Sequence, residues 1–219
     1  MPRPHLAASS PTTAAARRRG TRLLLVCSLG ALATALGAPA PAAGAGSLTF
    51  AKVPALPTLT AVTLNAKSQT VTTAMTNFAV SDTRGTKSGW NVTVAGQSGV
   101  GKSAVFARYC PKAKCASDAE GYVAGGAKMA AGSLTLASTG AKLTGGSGSA
   151  PTLQCAVACA LDSAAPVKIL SGAAGAELTW TTSGFSATSL SLAVPTTLRA
   201  LATEEVYRVD LLWTLATGP

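Results

Sequence analysis

The sequence is nearly without histidine: its one histidine in 219 residues, His5, precedes an N-terminal apolar run. If that segment is removed on export, no imidazole is left as a general base or a zinc ligand. Acidic residues are also scarce. The chain has eight acidic residues, and only Glu204 and Glu205 are neighbours in the sequence. Their spacing therefore reveals no acid–base pair. We therefore expect a protein that is not an enzyme, with neither a metal nor a cofactor.

Beyond residue 45, the sequence lacks any apolar run long enough to span a membrane. Within the first 45 residues, four arginines lead into the 14-residue apolar run Leu23–Leu36, and small residues follow at Ala43 and Ala45. A basic segment, a short apolar run and a small-x-small site are typical of a secretory signal. We predict a signal peptide over 1–45 and a secreted domain over 46–219. An uncleaved membrane anchor is the alternative.

Basic residues outnumber acidic ones, and they are unevenly placed. Removing residues 1–45 would leave 13 basic and 8 acidic residues, a net charge of about +5 instead of +10. Between Thr83 and Ser117 there is no acidic residue. The six basic residues of that stretch are Arg84, Lys87, Lys102, Arg108, Lys112 and Lys114. They are either solvated loop side chains or one positive surface that attracts an anionic polymer.

Four cysteines follow residue 45: Cys110, Cys115, Cys155 and Cys159. An even number in an exported chain indicates two disulfides. Three connectivities can be drawn, and we favour the local pairs Cys110–Cys115 and Cys155–Cys159. A four-thiolate zinc site is the alternative, but an oxidising exterior disfavours free thiolates.

The stretch GQSGVGKS, Gly96–Ser103, fits the phosphate-binding loop pattern G-x-x-x-x-G-K-[ST]. That pattern binds a nucleotide when a buried strand leads into it and a helix leaves it, within alternating strands and helices. The residues after Ser103 offer about two helical turns at most before Pro111. We interpret the match as a product of glycine-rich composition and expect no nucleotide or nucleic acid partner.

Short runs of β-branched residues alternate with Gly, Ser, Pro and Asn along the chain. This pattern predicts an all-β protein, an antiparallel β-sandwich with long disulfide-stapled loops between residues 97 and 165. The predicted strands cover residues 47–53, 60–65, 77–82, 89–96, 132–138, 167–171, 176–183, 190–195 and 206–215. In the last, Tyr207, Val209, Leu211, Trp213 and Leu215 share one face.

Two of these strands carry a family resemblance. VSDTRGTKSGWNVTV, residues 80–94, resembles the first signature of the WxL surface domains of Gram-positive bacteria. YRVDLLWTLATGP, residues 207–219, resembles the second, and the resemblance extends over about residues 47–219. Val92 departs from the pattern, since leucine is usual there. The signature residues are Asp82, Arg84, Gly85, Trp90, Val92, Tyr207, Trp213 and Leu215.

The resemblance implies an all-β module that holds secreted proteins noncovalently at the cell wall. Peptidoglycan is the ligand class that it implies, with other wall-associated proteins as partners. We therefore expect a secreted protein that binds peptidoglycan or an anionic wall polymer. The alternative is a structural or adhesive subunit that assembles with other wall proteins without binding glycan. A secreted hydrolase ranks third.

The signature residues also have plainer interpretations. Trp90, Trp180 and Trp213 could stack on sugar rings, but each lies on the apolar face of an alternating strand, which favours the core. Asp82 and Arg84 could bind a ligand, or they could hold a turn through side-chain-to-backbone bonds and an ion pair.

Overall fold

Alternating β-branched and small polar residues form strands along the whole domain, because such residues suit a pleated, half-buried surface. The computed structural model describes residues 46–111, 115, 119–202 and 204–218. The predicted signal peptide over 1–45 lies outside the described residues. All the elements of regular secondary structure in these residues are β-strands. No helix in the described part of the chain is long and apolar enough to cross a membrane.

Fifteen strands occur in the described residues. They are β1 (Leu48–Lys52), β2 (Gln69–Thr73), β3 (Ala79–Asp82), β4 (Trp90–Gly96), β5 (Ala107–Cys110), β6 (Gly121–Tyr122), β7 (Leu134–Leu136), β8 (Lys142–Ser147), β9 (Thr152–Leu153), β10 (Cys159–Ala160), β11 (Val167–Gly172), β12 (Glu177–Ser183), β13 (Leu190–Val194), β14 (Val206–Arg208) and β15 (Leu211–Thr217).

The strands form four antiparallel sheets. Sheet A has the order β1-β3-β12-β8, sheet B β10-β7-β13-β2, sheet C β15-β4-β11-β9 and sheet D β14-β5-β6. Most neighbours in a sheet are distant in sequence. This arrangement confirms the prediction of an all-β antiparallel fold.

One apolar core lies against these sheets. On β4, Trp90, Val92 and Val94 are fully buried and alternate with half-buried Asn91 and Thr93, as the sequence period of two predicts. Sheets A and B add apolar side chains to the same cluster. Its largest fully buried members include Trp90, Phe78, Leu134, Leu136, Leu161, Ile169, Leu170 and Leu190.

The predicted strand over residues 60–65 is wrong. This part of the chain makes no strand pairing, and it lies between β1 and β2 as a segment without regular structure. Its side chains Leu56, Leu59, Val62 and Leu64 pack, half-buried, against the core. The alternation that suggested a strand therefore reflects contact with the core and not pairing with a neighbour. We call residues 54–66 the strap.

The region from 97 to 165 contains more strands than we predicted. It holds β5 to β10, most of them two to four residues long. Strands this short leave too few alternating residues for a sequence period to be visible. The run 206–215 is likewise two strands, β14 and β15, paired in different sheets.

Both local disulfides are present. Cys110 is bonded to Cys115 and Cys155 to Cys159, with Cα–Cα distances of 5.8 and 5.5 Å. The predicted connectivity is confirmed. Because all four sulfurs are consumed, the four-thiolate zinc alternative is wrong.

Candidate functional site

The first signature forms a turn held by an ion pair. Asp82 ends β3, and its carboxylate receives two hydrogen bonds from the Arg84 guanidinium, each 2.8 Å, and one of 3.1 Å from the Arg84 backbone N–H. Asp82 is 2 % exposed and the Arg84 side chain 15 %. The hydrogen bonds from Arg84 hold the pKa of Asp82 below its ordinary value despite burial. Gly85 follows with φ of 68°, a conformation that favours glycine.

Arg84 also reaches the second signature. Its guanidinium donates to the Thr217 hydroxyl at 2.7 Å and to the Gly89 carbonyl at 2.9 Å. Asn91 donates to the Gly218 carbonyl at 2.7 Å, and the Gly218 N–H donates to Gly89 at 3.1 Å. We call Asp82, Arg84, Gly89, Asn91, Thr217 and Gly218 the clamp. Its hydrogen bonds join two segments that lie more than 120 residues apart.

The two signature strands are direct neighbours in sheet C. The register of β4 and β15 pairs Trp90 with Thr217, Val92 with Leu215 and Val94 with Trp213. Most of the residues by which the family resemblance was recognised therefore form one structural unit, whereas Tyr207 lies on β14 in sheet D. Proximity along the sequence could not have shown this pairing.

The tryptophans lie in or against the core. Trp90 is fully buried, and its indole N–H donates to the Ala176 carbonyl at 3.0 Å. Its ring lies directly on Gly172, where a Cβ would come within 2.5 Å of the indole. Trp180 is 7 % exposed, and Trp213 is half-buried with its ring centroid 6.1 Å from that of Phe78. Trp90 thus offers no face to a sugar.

Two further carboxylates are held by cations. Glu205 accepts two hydrogen bonds from Arg108, at 2.6 and 2.8 Å, and one from the Ala202 N–H at 3.1 Å. The bonds from Arg108 lower the pKa of Glu205. Because the sequence places Arg108 almost a hundred residues from Glu205, only the structure reveals this pair.

Asp210 is the centre of a second polar cluster. It accepts hydrogen bonds from the Tyr122 hydroxyl at 2.6 Å, the Ser103 N–H at 3.0 Å and Arg208 at 3.1 Å, and the Lys102 ammonium lies 3.8 Å away. Burial raises the pKa of Asp210, but these donors and charges outweigh it and the net shift is downward. Among the described residues no group of three metal-ligating side chains occurs.

These ion pairs involve some of the six basic residues between Thr83 and Ser117 but not others. Arg84 and Arg108 are each paired with a carboxylate of their own, whereas Lys102 lies 3.8 Å from Asp210, which also pairs with Arg208. Lys87 is exposed, with φ of 54°, and has no carboxylate within 4.0 Å among the described residues. Lys112 and Lys114 lie outside the described residues.

The stretch Gly96–Ser103 leaves β4 as a turn. Lys102 N–H donates to the Gly99 carbonyl at 3.1 Å, and Val100 is fully exposed at the tip. The chain then continues into β5 and not into a helix. The strand–loop–helix context of a phosphate-binding loop is therefore missing here.

Two adjoining concave sites lie elsewhere on the domain. The first is an apolar cleft of about 900 Å³ between the strap, sheet B and residues 198–201. The second is a polar pocket of about 390 Å³ lined by Arg108, Gly125, Gly126, Arg199 and Tyr207, among others. Arg199 and Tyr207 line both, and Tyr207 donates to the Arg199 carbonyl at 2.9 Å. Tyr207 is the one signature residue at either site, and no sequence pattern pointed to Arg199.

Comparison with known proteins identifies a family. The family model of the WxL domain, described as surface cell wall-binding, matches residues 43–219. No curated protein and no solved structure matches the chain.

Proposed function

The chain belongs to the WxL family of surface cell wall-binding domains, and from that premise we propose that it binds peptidoglycan and its attached anionic polymers noncovalently, as a secreted protein. The predicted signal peptide supports export. The family supports the cell wall as the destination, and the finer choice of polymer depends on charge.

The observation that carries this proposal is an excess of uncompensated positive charge. Seven exposed cations have no carboxylate within 4.0 Å among the described residues: Lys52, Lys67, Lys87, Lys128, Lys142, Lys168 and Arg199. Only Glu120, Glu177 and Glu204 remain as described acidic residues that are neither buried nor paired. Such a surface attracts phosphate- or carboxylate-bearing polymers over a distance of roughly 10 Å at about 0.1 M salt.

The burial of Trp90 indicates that the wall polymer is not bound by stacking on this ring. Trp90 is buried, and Arg84 is occupied by Asp82, Gly89 and Thr217. We therefore assign wall contact to cations that no carboxylate holds, with Lys87 as the described member of the stretch between Thr83 and Ser117. Lys112 and Lys114, which follow Lys87 in the sequence of that stretch, are proposed to contribute as well. The signatures contribute indirectly, by building the domain.

We also propose binding without turnover. A general acid needs a pKa raised toward neutrality, beside a second carboxylate that stays ionised. Asp82, Glu205 and Asp210 have lowered pKa values instead, because cations and hydrogen bonds hold each of them ionised. Burial raises the pKa of Asp162, but that side chain is fully buried.

A pull-down with purified sacculi tests the proposal, using walls with and without their anionic polymers. We expect wild-type binding to fall as salt rises and to be weaker on stripped walls. A triple variant, Lys87→Glu, Lys112→Glu and Lys114→Glu, should bind several-fold less. The matched control carries Lys67→Glu, Lys142→Glu and Lys168→Glu, which change the net charge equally outside the basic stretch.

The outcomes separate the candidate functions. Stronger loss in the first variant than in the control places the contact on the basic stretch. Equal loss in both assigns it to net charge alone. Absence of sacculus binding at any salt, with recovery only when other wall proteins are present, would favour the structural or adhesive subunit.

A further inference from the structure

The apolar cleft is built on the face of a sheet whose backbone is already paired. Its floor includes Leu134, Leu190 and Leu192, and β13 is bonded on one side to β7 and on the other to β2. Such a floor has no free backbone donors or acceptors for a ligand. At about 900 Å³ the cleft is as large as typical small-molecule sites.

The strap lines one side of this cleft and has few polar attachments. Gln69 donates to the Thr63 carbonyl at 2.9 Å, and Thr76 donates to Ala55. Between these points, residues 56–62 make no hydrogen bond to other described residues, and their contact with the core is through Leu56, Leu59 and Val62. A segment held mainly by apolar contacts opens at lower free energy than a paired strand.

A positively charged side chain lies where the apolar cleft meets the polar pocket. Arg199 is exposed, lines both sites and has no carboxylate within 4.0 Å among the described residues. Arg108 lies in the polar pocket but is compensated by Glu205. Arg208 lines the cleft, 4.5 Å from the centroid of the Tyr109 ring, and contacts Asp210. Arg199 is therefore the cation available to an anionic group at this junction.

We propose that the cleft binds a long-chain anionic amphiphile, with one hydrocarbon chain under the strap and a phosphate or carboxylate headgroup beside Arg199 in the polar pocket. A hydrocarbon chain needs no hydrogen-bonding partners, which suits the paired floor. An extended peptide would bring amide groups into the cleft unpaired, at a cost in free energy. This inference does not depend on wall binding.

Calorimetric titration of the purified chain with dodecyl phosphate, below the concentration at which it forms micelles, tests the proposal. We expect saturable binding of one molecule. Dodecyl maltoside, which has the same chain and an uncharged headgroup, should bind more weakly, and dodecyltrimethylammonium more weakly still. Arg199→Glu should weaken dodecyl phosphate binding by at least about tenfold, the loss expected for one charge-assisted contact. Its effect on dodecyl maltoside should be small.

Two further variants complete the test. Lys67→Glu makes the same charge change at an exposed site that does not line the cleft, and it should bind dodecyl phosphate like wild type. Leu59→Asp should weaken all three amphiphiles. If that variant fails to fold, the comparison of Arg199→Glu with Lys67→Glu still tests the proposal.

The proposal is overturned by non-saturable binding, by equal binding of the three headgroups, or by binding to anionic vesicles without binding to monomeric dodecyl phosphate. Sacculus binding that survives Arg199→Glu would separate this site from wall contact.

Discussion

The clamp and the strap beside the apolar cleft are two opposite ways of holding a chain segment against the β core. At the clamp, Arg84 alone makes hydrogen bonds to Asp82, Gly89 and Thr217, and most of its side chain is buried. Over the cleft, residues 56–62 lie on apolar side chains without hydrogen bonds to other described residues. Hydrogen bonds hold the clamp together, whereas apolar contacts alone hold residues 56–62 against the core.

This difference shows where the family signature acts. Signature residues are concentrated at the clamp and in the paired strands β4 and β15, where they make hydrogen bonds and contacts with the core. The concave surfaces with room for a ligand lie mostly outside them. The family signature therefore consists mainly of residues that pair the strands and form the clamp.

Truncating the buried indole should have the largest effect. We expect Trp90→Ala to lower the free energy of unfolding by about 3–5 kcal/mol, because it removes a fully buried aromatic and leaves the Ala176 carbonyl without its donor. Leu59→Ala in the strap should cost less than about 2 kcal/mol, because the side chain is half-buried and borders a cleft. Urea unfolding measures both. Equal losses would contradict the comparison.

Removing the clamp arginine should come next. Arg84→Ala leaves the buried Asp82 carboxylate uncompensated and should cost about 3 kcal/mol. Arg84→Lys keeps the charge but cannot make the two-pronged bond to Asp82 together with the bonds to Thr217 and Gly89, so it should recover only part of this loss. Thermal unfolding of the two variants provides the measurement. Full recovery by lysine would mean that charge alone matters.

Acid should weaken the clamp more than the strap. The folded-state pKa of Asp82 is lowered, so its contribution to stability is complete above its unfolded pKa of about 4 and is lost as pH falls through the lower folded value. The stability difference between wild type and Asp82→Asn should therefore be largest at pH 7 and shrink below pH 4. The difference for Leu59→Ala, which removes no charge, should stay constant. A constant difference for Asp82→Asn would show that Arg84 does not stabilise the carboxylate.

The smallest effect belongs to the loop that resembles a phosphate-binding motif. The Lys102 side chain is 43 % exposed and 3.8 Å from Asp210, so Lys102→Ala should change stability by less than about 1 kcal/mol. Calorimetry with ATP should show no binding to wild type. Micromolar ATP binding that Lys102→Ala abolishes would overturn this interpretation.

Alternation of apolar residues predicted strands whose burial follows a period of two, which is regular in β4 and β13 and present over the second half of β12. It found β4, β12 and β13, but it failed at the strap, where Leu59 and Val62 contact the core without a pairing partner. The spacing of the cysteines likewise favoured the correct local disulfides.

Contacts between distant residues could not be predicted in the same way. Nothing local to Arg108 points to Glu205, and nothing local to Lys102 points to Asp210, because those pairs depend on sheet D and the path into β15. Arg84, Lys102 and Arg108 are three of the six basic residues that one of the two interpretations places on a single positive surface, and each lies beside an internal carboxylate. These contacts depend on the topology of the sheets.

The clamp also sets an order of events when the chain is synthesised and folds. Arg84 can bond Thr217 only after 133 further residues have been synthesised. Until then β4 also lacks β15, one of its two neighbours in the sheet. A partly synthesised chain therefore cannot complete sheet C. Pairing between distant strands is slow, so completion of this sheet is expected to be a late step of folding. Closure of the clamp follows synthesis of both signature segments.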